Sequence, residues 1–388
     1  MPTQIASPTK IIDMPVPEAR LIRNLFNNPA VRPDLVIITD RTPMPKRDEV
    51  IDPFREFGNV TRLDQVFPDP KADDIMAMVS EIKESPNTPA SIIAIGGGST
   101  LDSAKAVTML LDNGGDLEEY LGPRATRKIE KHSTQLIAVP TTAGTGSEVT
   151  RFGVYTSRSG RKYTLASPFL QPDIALLAPA LTLSMPPAIT AATGFDALSH
   201  ALESLWNKNA TPESIRLSVD AAIHILTWIE CAYDSACTGG TAGRQEMLTG
   251  ACMAGAAFNL TGTASCHALS FVLSEEWHVP HGSACAFTLE DIFRANQTHP
   301  ETNRRLGEIA SAFFKTDNKS EGVPRLLQKI IDLKCKMKLP FTFRDLGITI
   351  DKSDIRRLFA KSLSDPKMSN NILPMTEDMI VNILELKQ

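Results

Sequence analysis

Ser91-Ile92-Ile93-Ala94-Ile95-Gly96-Gly97-Gly98-Ser99-Thr100 is the stretch from which the fold is read. A short, continuous apolar run is bounded by three glycines, and Leu101-Asp102-Ser103-Ala104-Lys105-Ala106 then opens a helical pattern. Runs of this length with β-branched residues are strands buried on both faces, and the glycines mark a tight turn into a helix. Working outward, Leu35-Val36-Ile37-Ile38-Thr39-Asp40 reads as a second buried strand, followed by a helix around 47–57. A strand near 60–66, a helix over 71–84 and a strand at Gln135-Leu136-Ile137-Ala138-Val139 continue the alternation. Apolar strands alternating with helices predict a parallel sheet covered on both faces. Past about residue 180, Leu181–Pro187 reads as a connector, and Ser214–Cys231 and Arg244–Leu260 read as buried helices. The expectation is an α/β N-terminal parallel-sheet dinucleotide-binding domain over 1–182 and an all-α domain over 183–388.

The glycine turn admits two readings. Without side chains, the backbone can approach a phosphate, and the free amides of the helix N-terminus supply positive potential. Alternatively it is only a tight turn with Ser99 or Thr100 as the helix N-cap. It is neither Gly-x-Gly-x-x-Gly nor a P-loop, which disfavours an ATPase. Asp40, at the end of its strand, suits a ribose 2′-hydroxyl and repels a 2′-phosphate, or else it is a turn residue. Pro140-Thr141-Thr142-Ala143-Gly144-Thr145-Gly146-Ser147-Glu148-Val149-Thr150 follows another strand and offers several hydroxyl donors to a nucleotide.

Gly194-Phe195-Asp196-Ala197-Leu198-Ser199-His200-Ala201-Leu202-Glu203 carries the second chemical signal. Positions i and i+4 share one helix face, so Asp196 and His200 can hold one ion between them. His267 and His281 supply two further imidazoles, in a chain with seven histidines. Three nitrogens and one oxygen suit iron(II) or zinc better than calcium or magnesium. Taken singly, each residue has a plainer reading: a capping pair, a core histidine at 267, and a turn histidine in Pro280-His281-Gly282.

At 388 residues the chain has room for two or more domains of about 150 residues each. Hydrophobic content of 42% and charged content of 22% place it among ordinary globular proteins. A net charge of −5 argues against nucleic acid or an anionic membrane as partner. Cys231, Cys237, Cys252, Cys266, Cys285 and Cys335 form no Cys-x-x-Cys, as expected of reduced thiols in the cytoplasm. Met1-Pro2-Thr3-Gln4-Ile5-Ala6 has no charged head or apolar stretch, so no signal peptide is expected. No run reaches about 18 apolar residues, so no transmembrane helix is expected either.

Gly96-Gly97-Gly98-Ser99 with Asp102, the 140–150 loop, Gly194-Phe195-Asp196-Ala197 with His200, and Pro280-His281-Gly282 occur in an order that resembles the iron-dependent (group III) alcohol dehydrogenases. The resemblance implies the two-domain architecture that family shares with dehydroquinate synthase. It also implies iron(II), with zinc as the alternative, held by Asp196, His200, His267 and His281. Hydride would pass between NAD(H), rather than NADP(H), and a small aldehyde or alcohol. Gly97, Gly98 and Ser99 would hold pyrophosphate and Asp102 the nicotinamide side. Thr141, Thr142 and Thr145 would contact the nucleotide, with Lys162 a candidate for its phosphates. A homo-oligomer is the expected assembly.

One departure matters. Many members carry two histidines four residues apart ahead of the Pro-His-Gly, whereas this chain has Cys266-His267-Ala268-Leu269-Ser270-Phe271. The fourteen-residue step from His267 to His281 matches the family's ligand spacing and leaves Phe271 in place of the second histidine. The other alignment puts Thr263 in the ligand position. His278 is a candidate for the missing imidazole, or a loop residue. The single-histidine arrangement is similar to the branch that reduces phosphonoacetaldehyde or sulfoacetaldehyde. Arg151, leaving the Thr/Gly loop, is the residue that would hold such an anionic tail, or else a solvated strand-end charge. Two other classes stand beside this one. A cyclase of the dehydroquinate synthase type would need several cations in the helical domain, where 194–290 hold only Lys208, Arg216 and Arg244. A catalytically silent metal- and nucleotide-binding homologue is the other.

Overall fold

In the computed structural model, described over residues 5, 7–14, 22, 24, 25, 32–316, 319–363 and 365–388, the apolar runs become strands. Most of the N-terminal stretch read for a signal peptide lies outside those residues. The strands are β1 (Lys10–Asp13), β2 (Asp34–Asp40), β3 (Asn59–Val66), β4 (Ser91–Gly96), β5 (Gln135–Pro140), β6 (Phe152–Thr156), β7 (Lys162–Ala166) and β8 (Ile174–Leu177). Six form one parallel sheet in the order β1-β8-β5-β4-β2-β3, and β6 and β7 pair as an antiparallel hairpin. Helices α1 (Arg47–Phe57), α2 (Ala72–Glu84) and α3 (Gly98–Asn113) cover the sheet.

Side chains alternate across a strand, and here both sets are apolar. Val36, Ile38, Ile92, Ala94, Leu136 and Ala138 pack with Ile75 and Val79 of α2 and Leu101 and Ala104 of α3. Leu35, Ile37, Ile93, Ile95, Ile137 and Val139 pack on the other face with Val50, Ile51 and Phe54 of α1. Each of these side chains larger than alanine contributes about 1.5–3 kcal/mol of burial, which is why these strands are continuous apolar runs. The sequence reading did not anticipate β1, β6, β7 or β8. The first and last are four residues long, and β6 alternates between buried and half-buried positions.

Chain order reverses between β2 and β4: β3 lies on one side of β2, while β4, β5 and β8 run off the other. The carboxyl ends of strands at such a switch point form the usual crevice for a ligand in an open α/β sheet. Asp40 ends β2, and Gly96 ends β4, followed directly by Gly97 and Gly98.

Contacts divide the chain into two compact units, one built mainly from 6–142 and 146–184, the other from 143–145 and 185–388. The second is helical: α4 (Pro187–Leu205), α5 (Pro212–Thr238), α6 (Arg244–Thr261), α7 (Ser265–Trp277), α8 (His281–Asn296), α9 (Pro300–Phe314), α10 (Lys319–Lys336), α11 (Lys352–Leu363) and α12 (Glu377–Glu385). Pro187 and Pro212 each stand in a first turn, where a missing N–H costs nothing, and Thr211 and Ser214 cap α5 reciprocally. α4 packs against α5, α6 and α8, and every residue from Gly194 to Leu205 is buried. A helix buried all round is normally apolar. Asp196, Ser199, His200, Glu203 and Ser204 break that rule. Among the described residues, no helix is long and apolar enough to cross a membrane.

Candidate metal centre and nucleotide loop

Asp196 and His200 lie one turn apart on α4, His267 near the start of α7, and His281 opens α8. Each histidine brings a ring nitrogen toward Asp196 Oδ1. His267 Nε2 is 3.5 Å from Asp196 Oδ1, His281 Nε2 is 3.7 Å from it, and His200 Nδ1 is 3.9 Å from it. Ligands about 2.0–2.2 Å from a tetrahedral ion stand about 3.3–3.6 Å apart, so this spacing is close to that of a first shell. Asp196 Oδ1, His200 Nδ1 and His267 Nε2 are buried and have no hydrogen-bond partner. Leaving three such atoms unsatisfied costs about 1–3 kcal/mol each, and one divalent cation would satisfy all three. The donor set therefore fits a metal. Stacking holds His200 in place, its ring centroid 4.2 Å from Phe258 and 4.4 Å from His267.

Glu203, one turn beyond His200, is fully buried. Its carboxylate accepts the His267 Nδ1 proton at 2.5 Å and the amides of Ala264 at 2.9 Å, Cys266 at 2.5 Å and His267 at 3.2 Å. The N-cap of α7, Ala264, has no capping side chain, so Glu203 satisfies the orphan amides of that helix. It also holds the proton on His267 Nδ1, so that a metal displacing the Nε2 proton would meet a lone pair directed at Asp196, as with the outer partner of a metal-bound histidine.

The electrostatics agree. Burial would raise Asp196, but His200, His281 and His267 hold it well below the usual carboxylate range. Burial pushes His200 down to about 3, which keeps it a neutral ligand. Burial opposes charge on His267 and His281, yet Cys285 and neighbouring carboxylates raise both. The negative groups thus draw positive charge to the centre as protons, and a divalent cation competes for the same position.

Pro280-His281-Gly282 acquires a packing reason. A Cβ on Gly282 would stand 2.3 Å from the carbonyl oxygen of Ala192, so only glycine lets α8 start this close to α4. That approach sets His281 beside Asp196. Its side chain remains 40% exposed, giving the centre an open side. Cys285, one turn along α8, joins Asp196, His267 and His281 in a group whose donor atoms all lie within 4.8 Å of one another, a group that does not include the sequence candidate His200. Its sulfur is 3.8 Å from His281 Nε2.

The nucleotide candidates gather at the carboxyl ends of β2, β4 and β5. Gly97 is the N-cap of α3 and no side chain caps that helix, so the Ser99 and Thr100 hydroxyl cap considered from sequence does not form. Thr100 Oγ1 instead donates to Asp40 Oδ2 at 3.2 Å. Gly97, Gly98 and Ser99 are half-buried, within reach of a ligand. Asp40 is already engaged, since its Oδ1 accepts the Thr42 amide at 2.8 Å and meets Arg47 at 3.3 Å. Thr141 is buried, with its amide on the Gly96 carbonyl at 3.0 Å, and Thr142 lies beside Gly97. Asp102 accepts from Ser147 Oγ at 2.7 Å and the Val154 amide at 2.9 Å, bracing the 146–150 segment. Lys105, pushed down to about 8 by burial, adds bonds to Ser147, Thr150 and the Phe152 carbonyl.

Other sequence candidates fall elsewhere. Thr145 is half-buried and clusters with the helical unit. Lys162 pairs with Asp69 at 2.7 Å. Arg151 is exposed in the α/β unit, its guanidinium 5.4 Å from the Phe152 ring centroid. His278 is exposed in a left-handed conformation at the end of α7 and does not join the cluster. His267, and not Thr263, stands among the clustered donors, and the Thr263 carbonyl accepts from Asn370. The sequence reading missed Glu203, although its place one turn after His200 was a signal, and Cys285, one turn after His281.

Residues 22–179 match the family described as iron-containing alcohol dehydrogenase, and residues 190–387 match the Fe-containing alcohol dehydrogenase family, C-terminal. The chain is similar to alcohol dehydrogenase 4 of Saccharomyces cerevisiae, 30% identical over 328 residues spanning 84% of this chain and 83% of the relative. It is also similar to long-chain-alcohol dehydrogenase 1 of Geobacillus thermodenitrificans, 32% identical over 346 residues spanning 84% and 85%. The crystal structure of sulfoacetaldehyde reductase from Bifidobacterium kashiwanohense in complex with NAD+ superposes with a TM-score of 0.86 at 29% identity, covering 100% of this chain and 99% of that one. The chain belongs to the iron-containing alcohol dehydrogenase family and is an oxidoreductase interconverting alcohols and aldehydes.

Proposed function

We propose that this protein is a metal-dependent, NAD(H)-linked reductase that interconverts a short aldehyde and its primary alcohol, with an aldehyde carrying an anionic tail, sulfoacetaldehyde or phosphonoacetaldehyde, as substrate. The observation that carries the metal reading is the set of three buried, unpartnered donor atoms on Asp196, His200 and His267. The substrate reading draws on Phe271 in the place of a second histidine and on the likeness to a sulfoacetaldehyde reductase that binds NAD+.

Asp196, His200, His267 and His281 would hold the ion. Iron(II), or zinc, supplies Lewis acidity toward a carbonyl oxygen, and NADH supplies the hydride. The chain supplies position and electrostatics. Glu203 keeps His267 in the metal-binding tautomer, and Asp196 remains a carboxylate. The uncapped amides at Gly98 and Ser99 would receive pyrophosphate, and Asp40 disfavours the 2′-phosphate of NADP(H). With Phe271 offering no transferable proton, and His278 exposed away from the cluster, the product's proton would come from water or ribose hydroxyls. The protein is proposed to act in the cytoplasm as a homo-oligomer.

A similar protein named 1-propanol dehydrogenase, 30% identical over 84% of this chain, favours a second reading, a general short-chain alcohol or lactaldehyde-type dehydrogenase. The test is to load the protein anaerobically with iron(II) and follow NADH oxidation with sulfoacetaldehyde, phosphonoacetaldehyde, lactaldehyde and propanal. Preference for the anionic aldehydes is expected. Turnover of uncharged aldehydes alone selects the second reading, and no turnover with metal and NADH bound points to another substrate or to the silent homologue.

A further inference from the structure

Lys367 lies in the helical unit, in the turn after α11, far along the chain from every residue the sequence singled out. Its ammonium sits 3.8 Å from the centroid of the Phe271 ring. Phe271 follows the ligand candidate His267 by one turn of α7, on the same helix face. Only 15% of the Lys367 side chain is exposed. Burying an ammonium is costly unless it is well paired, and here the pairing is weak. Asp365 meets the Nζ at 3.5 Å and 3.4 Å, the long end of hydrogen bonding. The same carboxylate accepts the Lys367 backbone amide at 2.8 Å, so its main role is to close its own turn. An ammonium has three N–H donors. One apolar ring and one long contact leave room for a strong acceptor.

We propose that Lys367, seated on Phe271, is the cation that receives the anionic tail of the substrate, a sulfonate or phosphonate. The inference rests on the anionic-aldehyde reading above and assigns to Lys367 the part that sequence reasoning gave to Arg151. Replacing a histidine by Phe271 removes a polar group and creates an apolar seat on which a lysine stem and ammonium can rest. Burial lowers the Lys367 pKa, and the charges felt there include Glu203 and Cys285, both at the metal cluster. A tetrahedral oxyanion brings the second negative partner that Asp365, at 3.4 Å, does not fully supply. A neutral aldehyde leaves the ammonium as it is.

The experiment compares iron-loaded wild type with Lys367→Met, of similar length, and Lys367→Arg, which keeps the charge. Two readouts are taken: the ratio of kcat/KM for sulfoacetaldehyde over propanal, and calorimetric binding of ethanesulfonate and ethylphosphonate. Loss of a charged hydrogen bond predicts a drop of roughly 10- to 100-fold in both the ratio and oxyanion affinity for Lys367→Met, with partial recovery in Lys367→Arg. A dianionic ethylphosphonate binding more tightly than ethanesulfonate marks phosphonate as the natural tail, and the reverse marks sulfonate. If wild type prefers the anionic aldehyde and Lys367→Met keeps the same ratio, the assignment to Lys367 is overturned while the substrate reading stands. If wild type shows neither preference nor oxyanion binding, the substrate reading fails and the assignment with it. A lowered melting temperature with an unchanged ratio in both variants assigns Lys367 a purely structural role and likewise overturns the proposal.

Discussion

Replacing Glu203 by Gln tests the logic of the metal centre with a change of one atom. Glu203 accepts four hydrogen bonds: Oε2 takes Ala264 N–H and His267 Nδ1–H, and Oε1 takes the amides of Cys266 and His267. A glutamine retains one acceptor oxygen and presents an NH2 to the other pair of donors. If the NH2 faced Cys266 and His267, it would meet two backbone amides that cannot change. Facing Ala264 and His267 Nδ1 instead, it leaves the imidazole an escape, because the ring can move its proton from Nδ1 to Nε2. That tautomer points N–H, not a lone pair, from His267 Nε2 toward Asp196 Oδ1, 3.5 Å away, between which the metal would bind. The Ala264 amide is left facing a donor, a loss of about 1–3 kcal/mol in stability.

Metal affinity should therefore fall about 10- to 100-fold, which is the range for outer partners of metal-bound histidines. The assay is competition for Zn2+ or Co2+ against a chromophoric chelator, with the melting temperature recorded with and without metal. In Glu203→Gln the metal-induced rise in melting temperature should shrink along with affinity. Wild-type metal affinity in a folded Glu203→Gln protein would refute the tautomer argument. So would loss of folding with metal affinity unchanged in the folded fraction.

Two further outcomes follow from the structure. Gly282→Ala places a methyl 2.3 Å from the Ala192 carbonyl oxygen, so α8 must shift from α4; stability should fall by about 1–3 kcal/mol and metal affinity with it, as measured by denaturant midpoint and chelator competition. Glu148 is buried beside Lys105, and burial pushes its carboxyl from 4.5 up to about 7. The folded chain thus holds a proton that the unfolded chain has released, and the associated stability is fully present below about 4.5 and lost as pH rises through about 7. The loss across that window is up to about 3 kcal/mol, and Glu148→Gln should flatten it in urea midpoints taken between pH 5 and 7.5. Lys105, lowered to about 8, acts in the opposite direction above that pH, where stability recovers toward 10.5.

What the sequence disclosed was set by distance along the chain. β2, β4 and β5 were legible because both of their faces are buried, which leaves uninterrupted apolar runs; β1 and β8, four residues each, carry too little pattern. Asp196 and His200 were legible because one helical turn relates them, and His267 and His281 because histidine is scarce in this chain. Asp40 was found at the strand end, but its engagement by Thr42, Arg47 and Thr100 is tertiary and left no mark in the pattern. Glu203 stood inside the quoted motif and still went unassigned, since its partner His267 lies 64 residues on. Lys367 is a hundred residues beyond His267, in a segment whose composition announces a turn and nothing more.

One rule would have recovered Glu203. Helix α4 is buried on every side from Gly194 to Leu205, and its neighbours are apolar enough to predict that from sequence. A carboxylate in such a helix must meet donors or a cation, because an unpaired one would lose more than the helix gains by packing. Asp196 and Glu203 are seven residues apart, two turns on one face, with His200 between them. Two buried carboxylates flanking an imidazole cannot all be satisfied by one another. The sequence of α4 alone therefore requires a second element bearing donors, and α7 supplies it, with its backbone amides and His267 Nδ1 on Glu203 and its His267 Nε2 toward Asp196.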